Sequence, residues 1–165
     1  MTLACVAAVA LTLAALAFPA LRARLGLNPA TPPGYKVGDR IDLPSDLYNA
    51  SSLTLFVFVR GNCPSCERSR PMFKDIADQV RGTSARMVIV VSRVRAEHDS
   101  EYASAVGLPP SAVAAVDFDT IQLRAVPTMV LVNRSGAVRY ALQGAPTDGQ
   151  RDELLQLVRA GAREN

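Results

Sequence analysis

The sequence predicts an α/β domain: a central mixed β-sheet flanked by helices. Three observations predict it. Leu53–Val59 is a near-continuous apolar run, the mark of a strand covered on both faces. From Pro64 the period changes to that of a helix, with Met72, Phe73, Ile76, Ala77 and Val80 on one face. Further along, Met129–Val132, the turn residues Asn133–Gly136 and the apolar Ala137–Leu142 read as a hairpin. The first half therefore supplies parallel β-α-β connections and the second an antiparallel hairpin.

The elements follow in order. Asp39 to Leu43 is a short leading segment stopped by Pro44. After the Leu53–Val59 strand, the helix from Pro64 to about Arg81 contains Pro71, which predicts a kink, and Gly82 can end it. Met87–Val91 is a second buried strand. Ala96–Val106 is a helix ending at Gly107, with Pro109-Pro110 beyond it. Val113–Phe118 is a short strand, and Asp119 caps a brief helix through Leu123. Asp148 to about Ala162 is the last helix, with Leu154, Leu155 and Val158 on one face.

Three segments divide the chain. Residues 1–21 form an uncharged, Ala/Leu/Val-rich stretch closed by Pro19 and Arg22, read as a membrane anchor or, alternatively, a cleaved signal segment. Residues 22–36 are a Pro/Gly-rich linker, and 37–165 the folded domain. Arg22 and Arg24 follow the apolar run and none precedes it, which the positive-inside rule reads against an outward domain. The redox motif below argues for the outside, because that is where disulfide-bearing proteins are. The 18 basic residues are almost all Arg, and no basic cluster with interleaved aromatics marks a nucleic-acid surface.

Cys63-Pro64-Ser65-Cys66 sits at the strand-to-helix junction. A sulfur there meets unpaired backbone N–H groups and the positive end of the helix dipole, which favour the thiolate. Two intervening residues let the second sulfur reach the first, so the pair can cycle between dithiol and disulfide. Half of a zinc site is the least favoured reading, since the further ligands it needs reduce to Cys5 and His98. An inert staple is the second; so short a loop constrains the unfolded chain little. The redox reading calls for neither metal nor cofactor.

The order of these features resembles the thioredoxin fold over about Val37 to Val158. The C-x-x-C follows a buried strand, Pro71 lies five residues past Cys66, Val126-Pro127-Thr128 precedes a strand, and the Asn133–Gly136 hairpin follows. The extra segment from about Arg95 to Phe118, the motif Val37-Gly38-Asp39-Arg40-Ile41 and the apolar leader are similar to the TlpA/ResA type of membrane-anchored, extracytoplasmic thiol:disulfide oxidoreductase.

That resemblance implies Cys63 as the attacking thiolate and Cys66 as the resolving thiol. It implies a cis Pro127, with Val126, Pro127 and Thr128 lining the substrate groove, and Pro64 and Ser65 setting the reduction potential. It also implies a disulfide-containing protein substrate, membrane attachment through the N-terminal helix, and a membrane electron donor or acceptor. A reductant serving cytochrome c maturation or a similar task is the leading expectation. An oxidase or maturation factor of MauD type and a non-catalytic thioredoxin-like adaptor are the alternatives. A peroxidase would want Thr or Ser ahead of its Cys, where this chain has Arg60-Gly61-Asn62.

The chain departs from its relatives at three positions. Asn62 precedes Cys63 where most relatives carry Trp, and the chain has no Trp at all. Val57 occupies the place of thioredoxin's buried carboxylate, and Ser69 that of a Glu in ResA-type proteins. Proton handling at Cys66 is therefore unassigned. Arg60, Arg68 and Arg70 flank the motif and can stabilise the thiolate or simply face solvent.

Overall fold

The computed structural model describes residues 34–95 and 101–161. The expected anchor and linker to Pro33, together with Cys5 and His98, lie outside the described residues. No helix among the described residues is long and apolar enough to cross a membrane.

Five strands form one sheet: β1 (Leu53–Phe58), β2 (Ala85–Ser92), β3 (Val113–Val116), β4 (Thr128–Asn133) and β5 (Val138–Gln143), in the order β3-β2-β1-β4-β5. β1 pairs parallel to β2 and β2 parallel to β3, whereas β4 runs antiparallel to both β1 and β5. This is the expected mixture of crossover and hairpin. All six residues of β1 are buried, because the strand is central and covered on both sides.

The α-helices are α1 (Pro64–Val80), α2 (Glu101–Ala105) and α3 (Asp148–Gly161). Side chains from all three share one core cluster: Phe73 and Ile76 of α1, Tyr102 and Ala103 of α2, Leu154 and Val158 of α3. They pack on Leu55, Val57, Ile89, Met129 and Leu131 from one face of the sheet. Arg159 of α3 donates to the Gln79 side chain of α1 at 2.7 Å, tying the two long helices.

The opposite face is covered differently. Phe56, Phe58, Val88, Val90, Val130 and Val132 meet Tyr35, Ile41, Leu43 and Tyr48 of the leading segment and Phe118 of the loop before β4. Tyr35 stacks on Phe58 with ring centroids 6.1 Å apart, and Phe118 meets Phe58 edge-on at the same distance. Among the described residues, Tyr35, at the end of the stretch that composition reads as linker, is already part of this core. Hydrogen bonds between Gly38 and Val138, and between Ile41 and Gly136, lay this segment along β5.

One local expectation is corrected, and one local irregularity is new. The turn at Phe118–Thr120 is a short 3-10 turn capped by Asp117, whose carboxylate accepts from the Asp119 N–H at 3.0 Å. Asp119 lies inside that turn, which stops well short of Leu123. In β5, Val138 faces the aromatic layer while Tyr140 faces the helices. Residues two apart should share a face, but the register jumps: Leu131 pairs with Tyr140 and Val132 with Val138. The extra residue, Arg139, makes a bulge that flips the alternation.

The hairpin turn is as read. The Asn133 side-chain oxygen accepts from the backbone of Ser135 and Ala137, and Gly136 takes a left-handed φ of 81°. A Cβ at Gly136 would stand 2.9 Å from the Tyr48 ring.

Candidate functional site

β1 ends at Phe58, and five residues, Val59 to Cys63, carry the chain to α1. Asn62 turns it with a left-handed φ of 59°, a conformation Asn adopts more readily than most residues with a side chain. Cys63 is then the N-cap of α1, with Pro64 at the first helical position, where its missing N–H and fixed φ suit a helix start. The Cys63 sulfur takes the capping role usually filled by an oxygen, accepting from the Cys66 N–H at 3.1 Å.

Cys63 and Cys66 are joined as a disulfide, with Cα atoms 5.2 Å apart. Their environments differ. Cys63 is half-buried at the surface; Cys66 is fully buried. That asymmetry is what a C-x-x-C helix start produces. One sulfur faces incoming groups, and the other sits one turn inside.

The Val126–Pro127 peptide is cis, as the resemblance implies. The loop stands directly against the motif. The Val126 carbonyl oxygen is 3.7 Å from the Cys63 sulfur and 3.5 Å from the Ser65 hydroxyl, which itself lies 3.3 Å from that sulfur. Thr128 is buried and its hydroxyl donates to the Ala125 carbonyl at 2.7 Å, while the Pro127 carbonyl accepts from Gly144 at 2.7 Å. Both bonds brace the loop from β4 and β5. The tertiary fold thus gathers Cys63, Ser65, Val126 and Pro127, which are about 60 residues apart in the chain, at one end of the sheet.

Two of the three flanking arginines, Arg60 and Arg70, are committed elsewhere, and Arg68 is exposed. The Arg60 guanidinium sits 5.2 Å over the Phe118 ring. Arg70 forms an ion pair with Glu67 and lies 5.2 Å over the Tyr102 ring. The groups shown in contact with the Cys63 sulfur are uncharged: the Cys66 N–H, the Ser65 hydroxyl and the Val126 carbonyl, at the start of α1.

Around Cys66 the positions named for proton handling are uncharged. Val57 is fully buried, and the Ser69 hydroxyl is spent on the Ser65 carbonyl at 2.8 Å. The residue that does reach Cys66 is one that sequence reading misses. Tyr102 of α2 donates its hydroxyl to the Cys66 carbonyl at 2.5 Å. Burial, with the nearby Glu67 carboxylate second, pushes its phenol up to about 12. A Tyr 36 residues from the motif carries no sequence signal for this contact. Tyr102, Arg70, Glu67 and the Arg60–Asn62 turn also border a cavity of about 670 Å³ beside the motif.

The arrangement has the parts for thiol–disulfide exchange: an accessible sulfur at a helix start, a second sulfur in bonding reach, and a backbone carbonyl beside them. Comparison with known proteins agrees with the fold. A family model described as a thioredoxin-like domain matches residues 48–159. No curated protein matches the chain.

Among solved structures, a protein named as a candidate thiol:disulfide interchange protein DsbE of Chlorobium tepidum is similar at 19% identity. That match covers 78% of this chain and 99% of that one, with a TM-score of 0.59. A thiol-disulfide isomerase of Corynebacterium glutamicum is similar at 16% identity, covering 77% and 96%, with a TM-score of 0.53. A peroxiredoxin-like protein of Aquifex aeolicus is similar at 19% identity, covering 79% and 90%, with a TM-score of 0.52. At these identities the likeness is one of fold. The family match takes in β1, the Cys63–Cys66 pair, the cis-Pro127 loop and most of α3, so the chain belongs to the thioredoxin-like family.

Proposed function

We propose that this protein is a thiol:disulfide oxidoreductase that exchanges disulfides with protein substrates through Cys63 and Cys66. The observation that carries the reading is the placement of Cys63: half-buried, capping α1, 3.1 Å from the Cys66 N–H and 3.7 Å from the Val126 carbonyl. In the reduced protein the Cys63 thiolate attacks a substrate disulfide. One substrate sulfur becomes bonded to Cys63 and the other leaves as a thiolate. Cys66, deprotonated, then attacks the Cys63 sulfur. The Cys63–Cys66 bond forms, the substrate's second thiolate departs, and two electrons have passed to the substrate. Val126 and Pro127 flank the substrate segment, with Thr128 holding the loop from beneath.

The direction proposed is reduction, outside the cytoplasm, in cytochrome c maturation or a similar task. A membrane partner would restore the dithiol. The support for this is the resemblance to TlpA/ResA-type proteins and the apolar leader. One observation favours the opposite direction: the Cys66 N–H, the Ser65 hydroxyl and the helix start all stabilise the Cys63 thiolate, hence the reduced form. That is the trend toward an oxidase or maturation factor.

The equilibrium reduction potential in glutathione or dithiothreitol buffers separates the two. A value at or below about −270 mV supports the reductant, and one near about −120 mV sinks it in favour of the oxidase. A pair that does not cycle at all removes both readings and leaves a non-catalytic adaptor.

A further inference from the structure

We infer that Tyr102 is a positioning residue for Cys66, through which α2 acts on the resolving step. This rests on the exchange activity proposed above. Cys66 is fully buried, so its approach to the Cys63 sulfur depends on the placement of the first turn of α1. Two hydroxyls hold that turn by its carbonyls. Ser69 donates to the Ser65 carbonyl from within the helix, and Tyr102 donates to the Cys66 carbonyl from outside it.

The external tie matters because the helix is weakened just beyond. Pro71 has no N–H for the Glu67 carbonyl, and its ring crowds that carbonyl. A helix that lacks this ladder bond one turn past Cys66 gains from a second anchor. Tyr102 can serve as one because it is fixed itself: it is 6% exposed, packed in the helical core and covered by Arg70. Its donor is aimed at the backbone of the very residue that must move against Cys63.

The step affected is the second one. Cys66 attacks the Cys63 sulfur of the mixed disulfide, the Cys63–Cys66 bond forms, and the bound partner leaves as a thiolate that takes up a proton. Removing the Tyr102 hydroxyl lowers the effective concentration of Cys66 at that sulfur. It leaves the thiolate donors of Cys63 untouched.

The test uses the reduced full chain and oxidised glutathione, following attack and resolution separately by quenching and mass spectrometry. Tyr102→Phe keeps the ring and loses the donor. The expected result is resolution about tenfold slower and a potential about 30 mV less negative, with attack rate and Cys63 pKa unchanged. Val106→Ala, a cavity in the same core that leaves the Tyr102 hydroxyl in place, is the control and should leave resolution at the wild-type rate.

Resolution by Tyr102→Phe within twofold of wild type overturns the inference. So does equal slowing by Val106→Ala, which would mean packing alone. A Tyr102→Phe chain that does not fold assigns the hydroxyl to overall stability and overturns it too. A wild-type dithiol that does not react with glutathione at all is a different failure: the exchange reading falls first, and this inference with it.

Discussion

The two faces of the sheet are built for different work. The helical face is mainly aliphatic and receives α1, α2 and α3; it holds Cys66, and Tyr102 with its tie to the motif. The other face is aromatic and is covered by extended chain and short turns, held by Tyr35, Phe56, Phe58 and Phe118. The Tyr35 hydroxyl donates to Asp42, whose other oxygen accepts from the Gln122 N–H at 3.0 Å, so leading segment and loop are clamped together. Among the described residues, Val126 alone packs against both clusters, at the point where the loop meets Cys63. The difference teaches that redox chemistry is concentrated on one layer. The other layer supports it by fixing the loop.

The largest test of that division is at the cysteines. Cys66→Ser should abolish turnover yet leave Cys63 able to attack, so a mixed disulfide with substrate should accumulate and be visible on non-reducing gels. Cys63→Ser should give neither turnover nor adduct. Adduct formation by Cys63→Ser would reverse the assignment of roles.

Next comes a matched pair of cavities. Phe73→Ala on the helical face and Phe56→Ala on the aromatic face should each cost about 3–5 kcal/mol in denaturant unfolding. Only Phe73→Ala should also move the Cys63–Cys66 potential, since Phe73 lies on the helix that carries both sulfurs. An equal shift from Phe56→Ala would break the comparison.

A smaller effect is expected at the clamp. Asp42→Ala removes the acceptor shared by Tyr35 and Gln122 and should cost about 1–2 kcal/mol of stability, with resolution of the mixed disulfide unchanged.

The smallest is a pH effect. The phenol of Tyr102 is raised from 10.0 to about 12, chiefly by burial, and that of Tyr35 is raised for the same reason with Asp42 adding to it. A raised phenol favours the folded state fully below the unfolded value. The favour is lost as pH climbs through the folded one. Stability should therefore fall between about pH 10 and 12, and Tyr102→Phe should flatten part of that slope in urea titrations. An unchanged slope would mean that Tyr102 titrates as an exposed phenol.

The strands, the long helices, the hairpin and the Cys63–Cys66 motif were legible because each is written in neighbouring residues. Apolar runs, three- and four-residue spacing, a Pro at a helix start and an Asn–Gly turn act over a few residues and depend little on what lies far away. The bulge at Arg139 was not legible, since it is a mismatch of registers between two strands. Nor was the capping of the Phe118 turn by Asp117, because Asp119 offers the same chemistry two residues on.

What the sequence by itself determined is the parallel-then-antiparallel layout and the identity of the two sulfurs. Local propensity and hydrophobic period suffice for those. What only the tertiary structure decided is which groups meet the two cysteines. It brought the Val126 carbonyl to Cys63 across 63 residues and the Tyr102 hydroxyl to Cys66 across 36. It also turned Arg60 and Arg70 onto aromatic rings. Such contacts follow from the packing of whole layers, and no spacing along the chain encodes them.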